Sequence, residues 1–460
     1  MPETFEFDQA LIQRYDKAGP RYTSYPTAPQ FSADFDESQL RRAITRSNNE
    51  MIPKPLSLYV HIPFCDTVCF YCACNKIVTK NHAVTPEYLQ LLDQEMRMLA
   101  PLFDSDRELE QLHLGGGTPT FLNQDEMKSL MRSIGQSFNL ADDCEMSIEI
   151  DPRKVTNDSI RELAQMGFNR MSLGVQDFDA KVQQAVNRVQ PYEMVRERLE
   201  SARDAGIVSV NMDLIYGLPH QSVETFGNTL DQVLGLRPDR LSVFNYAHLP
   251  ERFKPQRRID QVDLPEPAEK LDILQMMVER LQAAGYVYIG MDHFALETDS
   301  MVKAQQEGTL QRNFQGYSTH ADADLIAIGV SSISLIGDSY SQNATGIDDY
   351  RASINAGKLP VVRGLTMNDD DRLRKAVITQ LICHFRLDIP LVEQQWGINF
   401  KKYFAEEYKE LRELERDGLL KLDPNSIRVE PKGRFLIRNV CMVFDAYLKT
   451  NKTVKFSKVI

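Results

Sequence analysis

His61-Ile62-Pro63-Phe64-Cys65-Asp66-Thr67-Val68-Cys69-Phe70-Tyr71-Cys72-Ala73-Cys74 gathers four of the chain's 7 cysteines. Cys65, Cys69 and Cys72 form C-x3-C-x2-C, and Cys74 follows two residues later. The stretch leaves an apolar run, Leu56–Val60, that reads as a strand, so the cysteines sit on a loop directly after it. A disulfide framework does not suit a large chain whose remaining cysteines, Cys144, Cys383 and Cys441, are scattered. Structural zinc wants four ligands, usually as two separated pairs, and those three supply no second pair. Three closely spaced thiolates can instead hold three irons of a [4Fe–4S] cluster, leaving the fourth iron open to a small-molecule ligand. The cluster is the favoured reading; zinc and an unmetallated loop are its alternatives.

Outward from the cysteines, short apolar runs alternate with helix-length amphipathic segments. Strands are predicted at Leu56–Val60, Gln111–Leu114, Glu145–Ile150, Arg170–Val175, Ser209–Ile215, Arg240–Asn245 and Tyr286–Met291. Between the first two, Tyr88, Leu92, Met96 and Leu99 recur on one helical face. Comparable helices are predicted over Gln124–Ile134, Asn157–Met166, Tyr192–Ala205, Val223–Leu234 and Ala268–Ala284. Repeated strand–helix units imply an α/β fold with parallel strands and right-handed crossovers. A (β/α) barrel, complete or partial, is preferred to an open doubly wound sheet because polar residues cluster at the same ends of successive strands.

The flanks read differently. Residues 1–36 end in Pro20-Arg21-Tyr22-Thr23-Ser24-Tyr25-Pro26 and lack periodicity, as expected of an irregular arm that is either a mobile tail or a docked lid. Beyond Gly364, Asn368-Asp369-Asp370-Asp371 looks like a helix N-terminus. Helices over Arg372–Phe385 and Phe400–Asp417, a hairpin from Leu419–Leu422 to Ile427–Val429, and a helix over Arg434–Leu448 follow. This order resembles a winged helix. Three regions result: an arm over 1–36, a catalytic barrel over 37–364, and a mainly helical, winged-helix-like module over 365–460.

With 53 Lys+Arg against 65 Asp+Glu, the net charge of −12 speaks against generic nucleic-acid or anionic-membrane binding. Hydrophobic residues at 42% and charged residues at 26% exclude a disordered chain. No apolar run approaches the roughly 18 residues of a membrane span, and Met1–Phe7 has no signal-peptide pattern. A cytoplasmic enzyme, not inserted in a membrane, is expected.

Other polar residues converge on the strand ends. Gly115-Gly116-Gly117-Thr118-Pro119-Thr120 follows the second strand and lets backbone approach a ligand closely. Glu149 lies near the end of the third strand, Gln176 closes the fourth with Arg188 beyond it, Asp213 sits in the fifth, and Asn245-Tyr246-Ala247-His248 ends the sixth. A carboxylate within an apolar strand is costly to bury without a partner. Any one of these residues alone reads as a structural hydrogen-bonder; together they converge on one barrel mouth, where such barrels keep their active sites.

C-x3-C-x2-C on a loop after the first strand of a β/α chain resembles the signature of the radical S-adenosylmethionine (SAM) superfamily. The resemblance implies a partial (β/α)6 barrel, with SAM chelating the open iron and a 5′-deoxyadenosyl radical abstracting a substrate hydrogen. A closer resemblance rests on Pro20–Pro26, Tyr59–Phe64, the cysteine cluster, Gly115–Thr120, Asp213–Pro219, Asn245–Leu249, Gly290–Phe294 and Asn313–Tyr317. Together they resemble the oxygen-independent coproporphyrinogen III oxidase (coproporphyrinogen dehydrogenase) family over nearly the whole chain. That family oxidatively decarboxylates two propionates of coproporphyrinogen III to vinyls, giving protoporphyrinogen IX in haem (porphyrin) biosynthesis. Carried over, the resemblance implies Cys65, Cys69 and Cys72 as cluster ligands. It implies SAM contacts at Tyr59, Tyr71, Gly116, Gly117, Thr118, Glu149, Gln176, Arg188, Asp213, Ala247 and Ile333. Tyr71 departs from the phenylalanine found in some relatives but keeps a ring. Cys74 matches an extra cysteine that is not a ligand and is a candidate accessory residue.

The polyanionic substrate needs local cations despite the net negative charge; Arg21, Arg312 and the nearby Gln315 are the candidates. A one-electron donor and a terminal electron acceptor are required partners, and a monomer is the expected state. The rival reading is a haem chaperone related to this family, which binds or transfers haem without this catalysis. Such chaperones typically lack the fourth cysteine and the arm. His61, His248 and His293 read as hydrogen-bonding residues at strand ends and not as haem ligands.

Overall fold

A computed structural model describes residues 6–320 and 323–450. The chain divides into two compact units: Phe31–Met277 with Asp322–Thr366, and Met1–Gln30 with Val278–Ala321 and Met367–Ile460.

The larger unit is built on a sheet. Its parallel strands are β1 (Leu56–Ile62), β2 (Glu108–Gly116), β3 (Asn139–Ile150), β4 (Arg170–Gln176), β5 (Ser209–Tyr216), β6 (Arg240–Asn245) and β7 (Asp324–Ile328). Their spatial order is β7-β1-β2-β3-β4-β5-β6, and every neighbouring pair is parallel. The crossovers are helices Thr85–Leu99, Gln124–Ser137, Asn157–Gln165, Tyr192–Asp204 and Val223–Leu236, close to their predicted bounds. Three of them, Gln124–Ser137, Asn157–Gln165 and Val223–Leu236, open with capping boxes from Asn123, Thr156 and Ser222.

Period-two patterning sorts the strand side chains. On one face Leu58, Val60, Ile148, Leu173, Met212 and Leu241 are fully or almost fully buried. Each such residue stabilises the fold by about 1.5–3 kcal/mol. The other face is polar and forms rungs across the strands. Ser57 Oγ donates to Gln111 Oε1 (3.0 Å), Gln111 Nε2 donates to Glu145 Oε1 (3.0 Å), and Glu145 pairs with Arg170 (2.6 Å). This inner face explains why a chain with continuous strand–helix units still places carboxylates in its strands.

Part of this unit lies outside the predicted elements. These are β7, the direct neighbour of β1, and the strands Ile333–Ile336, Ser339–Asn343 and Val361–Thr366 that continue antiparallel from it. Ser339–Asn343 reads as polar (Ser-Tyr-Ser-Gln-Asn), so an apolar-run criterion passes over it although all five residues are buried. The capped helix Glu37–Asn48 was likewise unforeseen.

The smaller unit corrects two expectations. Tyr286–Met291, expected as a further barrel strand, is Tyr286–Gly290, and it pairs antiparallel with His293–Leu296. The turn residues Met291 and Asp292 both hold positive φ (45° and 74°), the conformation of a tight hairpin turn. The arm, expected to be irregular, contains the helix Gln9–Tyr15, capped by Asp8, with Ile12 and Tyr15 buried. It is docked: Arg438 Nε donates to Pro20 O (2.9 Å), Tyr22 OH to Asp445 (3.0 Å), and Asn439 Nδ2 to Tyr15 O (3.0 Å).

The C-terminal segment runs helix Asp369–His384, strand Arg386–Asp388, helices Ile389–Trp396, Phe400–Tyr403 and Ala405–Arg416, then strands Leu420–Leu422 and Ser426–Val429. The three strands form one antiparallel sheet, giving the winged-helix order. The helix expected over Arg434–Leu448 is instead Ile437–Val443 and Ala446–Thr450. Asp445 causes the break: its carboxylate accepts from Tyr447 N (2.9 Å) and Leu448 N (3.3 Å), competing with helix continuation. Among the described residues, no helix is long and apolar enough to cross a membrane.

Candidate active site

β1 delivers the cysteine loop, and backbone bonds fix both its ends. Phe64–Cys65 pairs with Ile77–Val78, Ile77 N donates to Pro63 O (2.7 Å), and Thr79 N donates to Cys65 O (2.9 Å). The middle is tied to the segment after β4, by Phe70 N to Val186 O (3.0 Å) and Asn187 Nδ2 to Val68 O (2.8 Å). Cys65 and Cys69 are buried, Cys72 is half-buried and Cys74 is exposed. Burial pushes the Cys65 thiol up to about 11, whereas a hydrogen bond from Cys74 is the foremost cause that pulls Cys72 down to about 5.

The glycine loop is laid edge to edge against this one. Gly117 N donates to Ile62 O (2.8 Å), and Thr118 N donates to Phe64 O (2.9 Å). Thr118 Oγ1 lies 3.3 Å from Cys65 Sγ. A Cβ on Gly116 would stand 2.6 Å from the His61 ring, and one on Gly117 would stand 2.6 Å from Pro63 O, so no side chain fits at either position. Gly116 N in turn donates to Glu149 Oε2 (3.2 Å).

The inner faces of β1 to β5 carry the rest. The Tyr59 ring stacks on His113 (centroids 5.7 Å apart, 15° between planes), and its hydroxyl lies 3.1 Å from His61 Nδ1. His113 Nδ1 is 2.5 Å from Ser147 Oγ, and its Nε2 is 3.5 Å from Glu149 Oε1. The Glu149 side chain keeps 45% exposure, enough to meet a ligand. The low-dielectric interior opposes its charge, but His113 and the Gly116 N–H outweigh that and hold it below the usual carboxylate range. Asp213 accepts from Ser172 Oγ (3.0 Å) and Asn211 Nδ2 (2.8 Å). Burial, with the Glu149 charge adding to it, pushes Asp213 up to about 6.

That shift has a consequence for stability. A carboxyl raised from 3.8 to about 6 keeps its proton longer in the folded chain than in the unfolded one. Its stabilisation is complete below about pH 4 and lost as pH rises through 6. Asp213→Asn should therefore leave the unfolding midpoint of cluster-free protein unchanged near pH 4 and raise it by about 2 °C near pH 7.5. Equal differences at both pH values in thermal scans would contradict this.

Gln176 ends β4 in the left-handed region (φ 69°). Arg188 folds back over it: Nη2 donates to Gly174 O (2.6 Å), and Nη1 reaches Asp151 Oδ2 and Cys69 Sγ, both at 3.4 Å. Arg188 Nε is buried without a hydrogen-bond partner, as expected of a group awaiting a ligand. Tyr71 packs against the buried apolar cluster formed by Val182, Val186, Ile215, Leu218, Tyr246 and Ile259. Ala247 follows Tyr246, whose N–H bonds Tyr216 O at the end of β5. Ile333 stands shortly after β7, whose Ile328 pairs with Val60. Contacts thus join Tyr59, Tyr71, Gly116, Gly117, Thr118, Glu149 and Arg188 to the cysteine loop or to one another; Gln176, Asp213, Ala247 and Ile333 are placed by the sheet.

Arg21, Arg312 and Gln315 belong to the smaller unit. The Arg312 guanidinium lies over the Tyr317 ring (4.8 Å), and its Nε and Nη1 are buried without hydrogen-bond partners, as is Gln315 Nε2. Burial foremost, then the charges of Arg312 and Arg21, lowers His293 to about 3, keeping it neutral. Arg438 is lowered to about 10 by burial and by the same two arginines. The structure therefore groups Arg21, Arg312, Arg438 and His293. Arg438 had no local signature and was missed. The three noted histidines all form hydrogen bonds: His61 with Asn75 O, His248 with Tyr246 OH and His293 with Met291 O.

The comparisons agree with this geometry. The "Radical SAM superfamily" profile matches residues 59–233, and the "HemN C-terminal domain" profile matches residues 367–436. The fold is that of a radical SAM protein. An oxygen-independent coproporphyrinogen III oxidase of Pseudomonas aeruginosa is 51% identical, covering 100% of both chains. The Escherichia coli K12 protein of that name is 49% identical, covering 100% of this chain and 99% of its own. The solved structure of coproporphyrinogen III oxidase (HemN) from Escherichia coli, described as a radical SAM enzyme, superposes with a TM-score of 0.93. It is 49% identical and covers 97% of this chain and 100% of its own. The chain belongs to the oxygen-independent coproporphyrinogen III oxidase family. Three thiols on one fixed loop, a side-chain-free glycine edge and the unpartnered Arg188 Nε fit the family's cofactors, a [4Fe–4S] cluster and SAM.

Proposed function

We propose that this chain oxidatively decarboxylates two propionates of coproporphyrinogen III to vinyl groups, giving protoporphyrinogen IX. The carrying observation is the cysteine loop stitched to a glycine loop that ends on Glu149. Cys65, Cys69 and Cys72 would hold the cluster. Tyr59, Tyr71, Gly116, Gly117, Thr118, Glu149, Gln176, Arg188, Asp213, Ala247 and Ile333 would hold SAM. When bound, these cofactors supply reductive cleavage of SAM and hydrogen-atom abstraction.

The protein's part is positioning. Glu149 and Asp213 offer carboxylate oxygens to hydroxyl or ammonium groups, and Arg188 offers its free Nε–H to a carboxylate. The glycine edge, with no side chain in the way, lets a ligand approach the backbone closely. Arg21, Arg312 and Gln315 would take the substrate's carboxylates. The buried, unpartnered donors of Arg312 and Gln315 support that assignment. An external low-potential one-electron donor, a terminal electron acceptor, a cytoplasmic location and a monomeric state complete the proposal.

The test is anaerobic conversion of coproporphyrinogen III with SAM and a reductant, following CO2 and protoporphyrinogen. Tight haem binding without turnover would favour the haem-chaperone alternative. In the same assay Arg312→Ala should raise the KM for coproporphyrinogen by about 10–100-fold, the weight of one charge-assisted hydrogen bond. Wild-type KM in both Arg312→Ala and Arg21→Ala would remove these residues from the substrate site.

A further inference from the structure

Arg153 stands outside every residue set assigned so far. It sits in the turn Pro152–Lys154 that follows β3, where Asp151 accepts from Arg153 N (3.1 Å). The Arg153 guanidinium folds back on the same carboxylate, with Nε 2.9 Å from Oδ1 and Nη2 2.6 Å from Oδ2. This fixes the fork so that Nη2 also points at the cysteine loop, 3.7 Å from Cys69 Sγ and 3.4 Å from Thr67 Oγ1. Arg188 arrives from the opposite side on the same carboxylate and the same sulfur. The three side chains are 14%, 9% and 8% exposed for Arg153, Asp151 and Arg188, so solvent screens little of this charge.

An ion pair serving only the fold would be complete with one arginine on Asp151. Here two guanidiniums share one carboxylate, leaving a net positive charge, and both donate to one sulfur. Arg188 carries the free Nε–H assigned to SAM; Arg153 has no such unpartnered atom. Its donor to sulfur is the contact that remains to be explained. Adding an electron to an iron–sulfur cluster adds negative charge, which a cationic donor on a ligand thiolate favours.

We propose that Arg153, held by Asp151 as its positioning residue, raises the reduction potential of the cluster through a charge-assisted hydrogen bond to the Cys69 thiolate. The proposal rests on Cys69 being a cluster ligand.

The test is an EPR-monitored redox titration of anaerobically reconstituted, SAM-free protein with dithionite, alongside iron and sulfide content. Arg153→Met should keep the cluster and shift its midpoint to more negative values. At the wild-type midpoint, the reduced-to-oxidised ratio should fall about tenfold, which is about 59 mV for one electron. Arg153→Lys, which restores a cation, should recover most of the shift. An unchanged or more positive midpoint in Arg153→Met at full iron content overturns the proposal. Should that variant lose iron, Arg153→Gln decides, and a wild-type midpoint there overturns it equally. A Cys69→Ala chain that retains a full cluster would instead overturn the ligand assignment, separately from Arg153.

Discussion

The Cys69→Ala chain should emerge from anaerobic reconstitution colourless, with iron near background and SAM cleavage below detection, yet folded. On the proposed assignment each of the three thiolates would hold a different iron, so loss of one would leave a further iron with no protein ligand, for which the remaining pair cannot substitute. The fold should survive because the loop does not depend on the thiol. Phe70 N to Val186 O, Asn187 Nδ2 to Val68 O and Gln256 Nε2 to Tyr71 O anchor the segment on both sides of Cys69. Iron analysis and circular dichroism on one preparation check both halves. A variant with full iron would remove Cys69 from the ligand set, and an unfolded one would make the thiol a structural residue. Cys74→Ala, by contrast, should retain iron, since Cys74 is exposed and stands outside the C-x3-C-x2-C set.

Gly117→Ala is the second large effect, from a single methyl group. Its Cβ would fall 2.6 Å from Pro63 O, 2.7 Å from Pro63 C and 2.9 Å from Phe64 O, all backbone atoms that cannot rotate away. The two loops must separate, breaking the Gly117 N–Ile62 O and Thr118 N–Phe64 O bonds that set the glycine edge beside Cys65. Overpacking of this kind costs about 1–3 kcal/mol of stability. Misplacement of a cofactor edge by about 1 Å costs roughly 100-fold in rate, so kcat/KM for SAM should fall at least that far. The cysteines themselves are untouched, and iron content should remain above half of wild type. Isothermal titration of SAM onto the loaded protein is the direct measurement; wild-type affinity would mean the edge does not contact SAM.

The legible parts of the molecule were those where one short segment holds the whole signal. The cysteine spacing, the glycine run and Glu149 in an apolar strand each declare themselves within a few residues, and the structure places them together. Helices with strong apolar periodicity were found within about three residues of their ends. Features that depend on tertiary partners were not legible. Ser339–Asn343 is a strand because its neighbours bury it, against its polar composition. Tyr286–Gly290 has the look of a barrel strand, and only the paired left-handed turn residues after it make it a hairpin. Arg438 and Arg153 act across long sequence separations, one on Pro20 and the other on Cys69, and nothing beside Arg438 in the chain announces it. Asp151-Pro152-Arg153, charged residues directly beyond a strand carrying Glu149, was the available clue to the second.

The polar rungs inside the sheet bear on how the chain finds its alignment while folding. Alternating apolar residues forbid a slip of one residue, which would turn the greasy face inward, but they tolerate a slip of two. The line Ser57–Gln111–Glu145–Arg170 works against that degeneracy, because a two-residue slip separates donors and acceptors that here meet at 2.6–3.0 Å. The rungs thus work as a combination lock on strand alignment, and its setting fixes the heights at which Tyr59, Glu149 and Asp213 stand relative to one another. Errors of register would be paid for twice, in stability and in a scrambled cofactor floor.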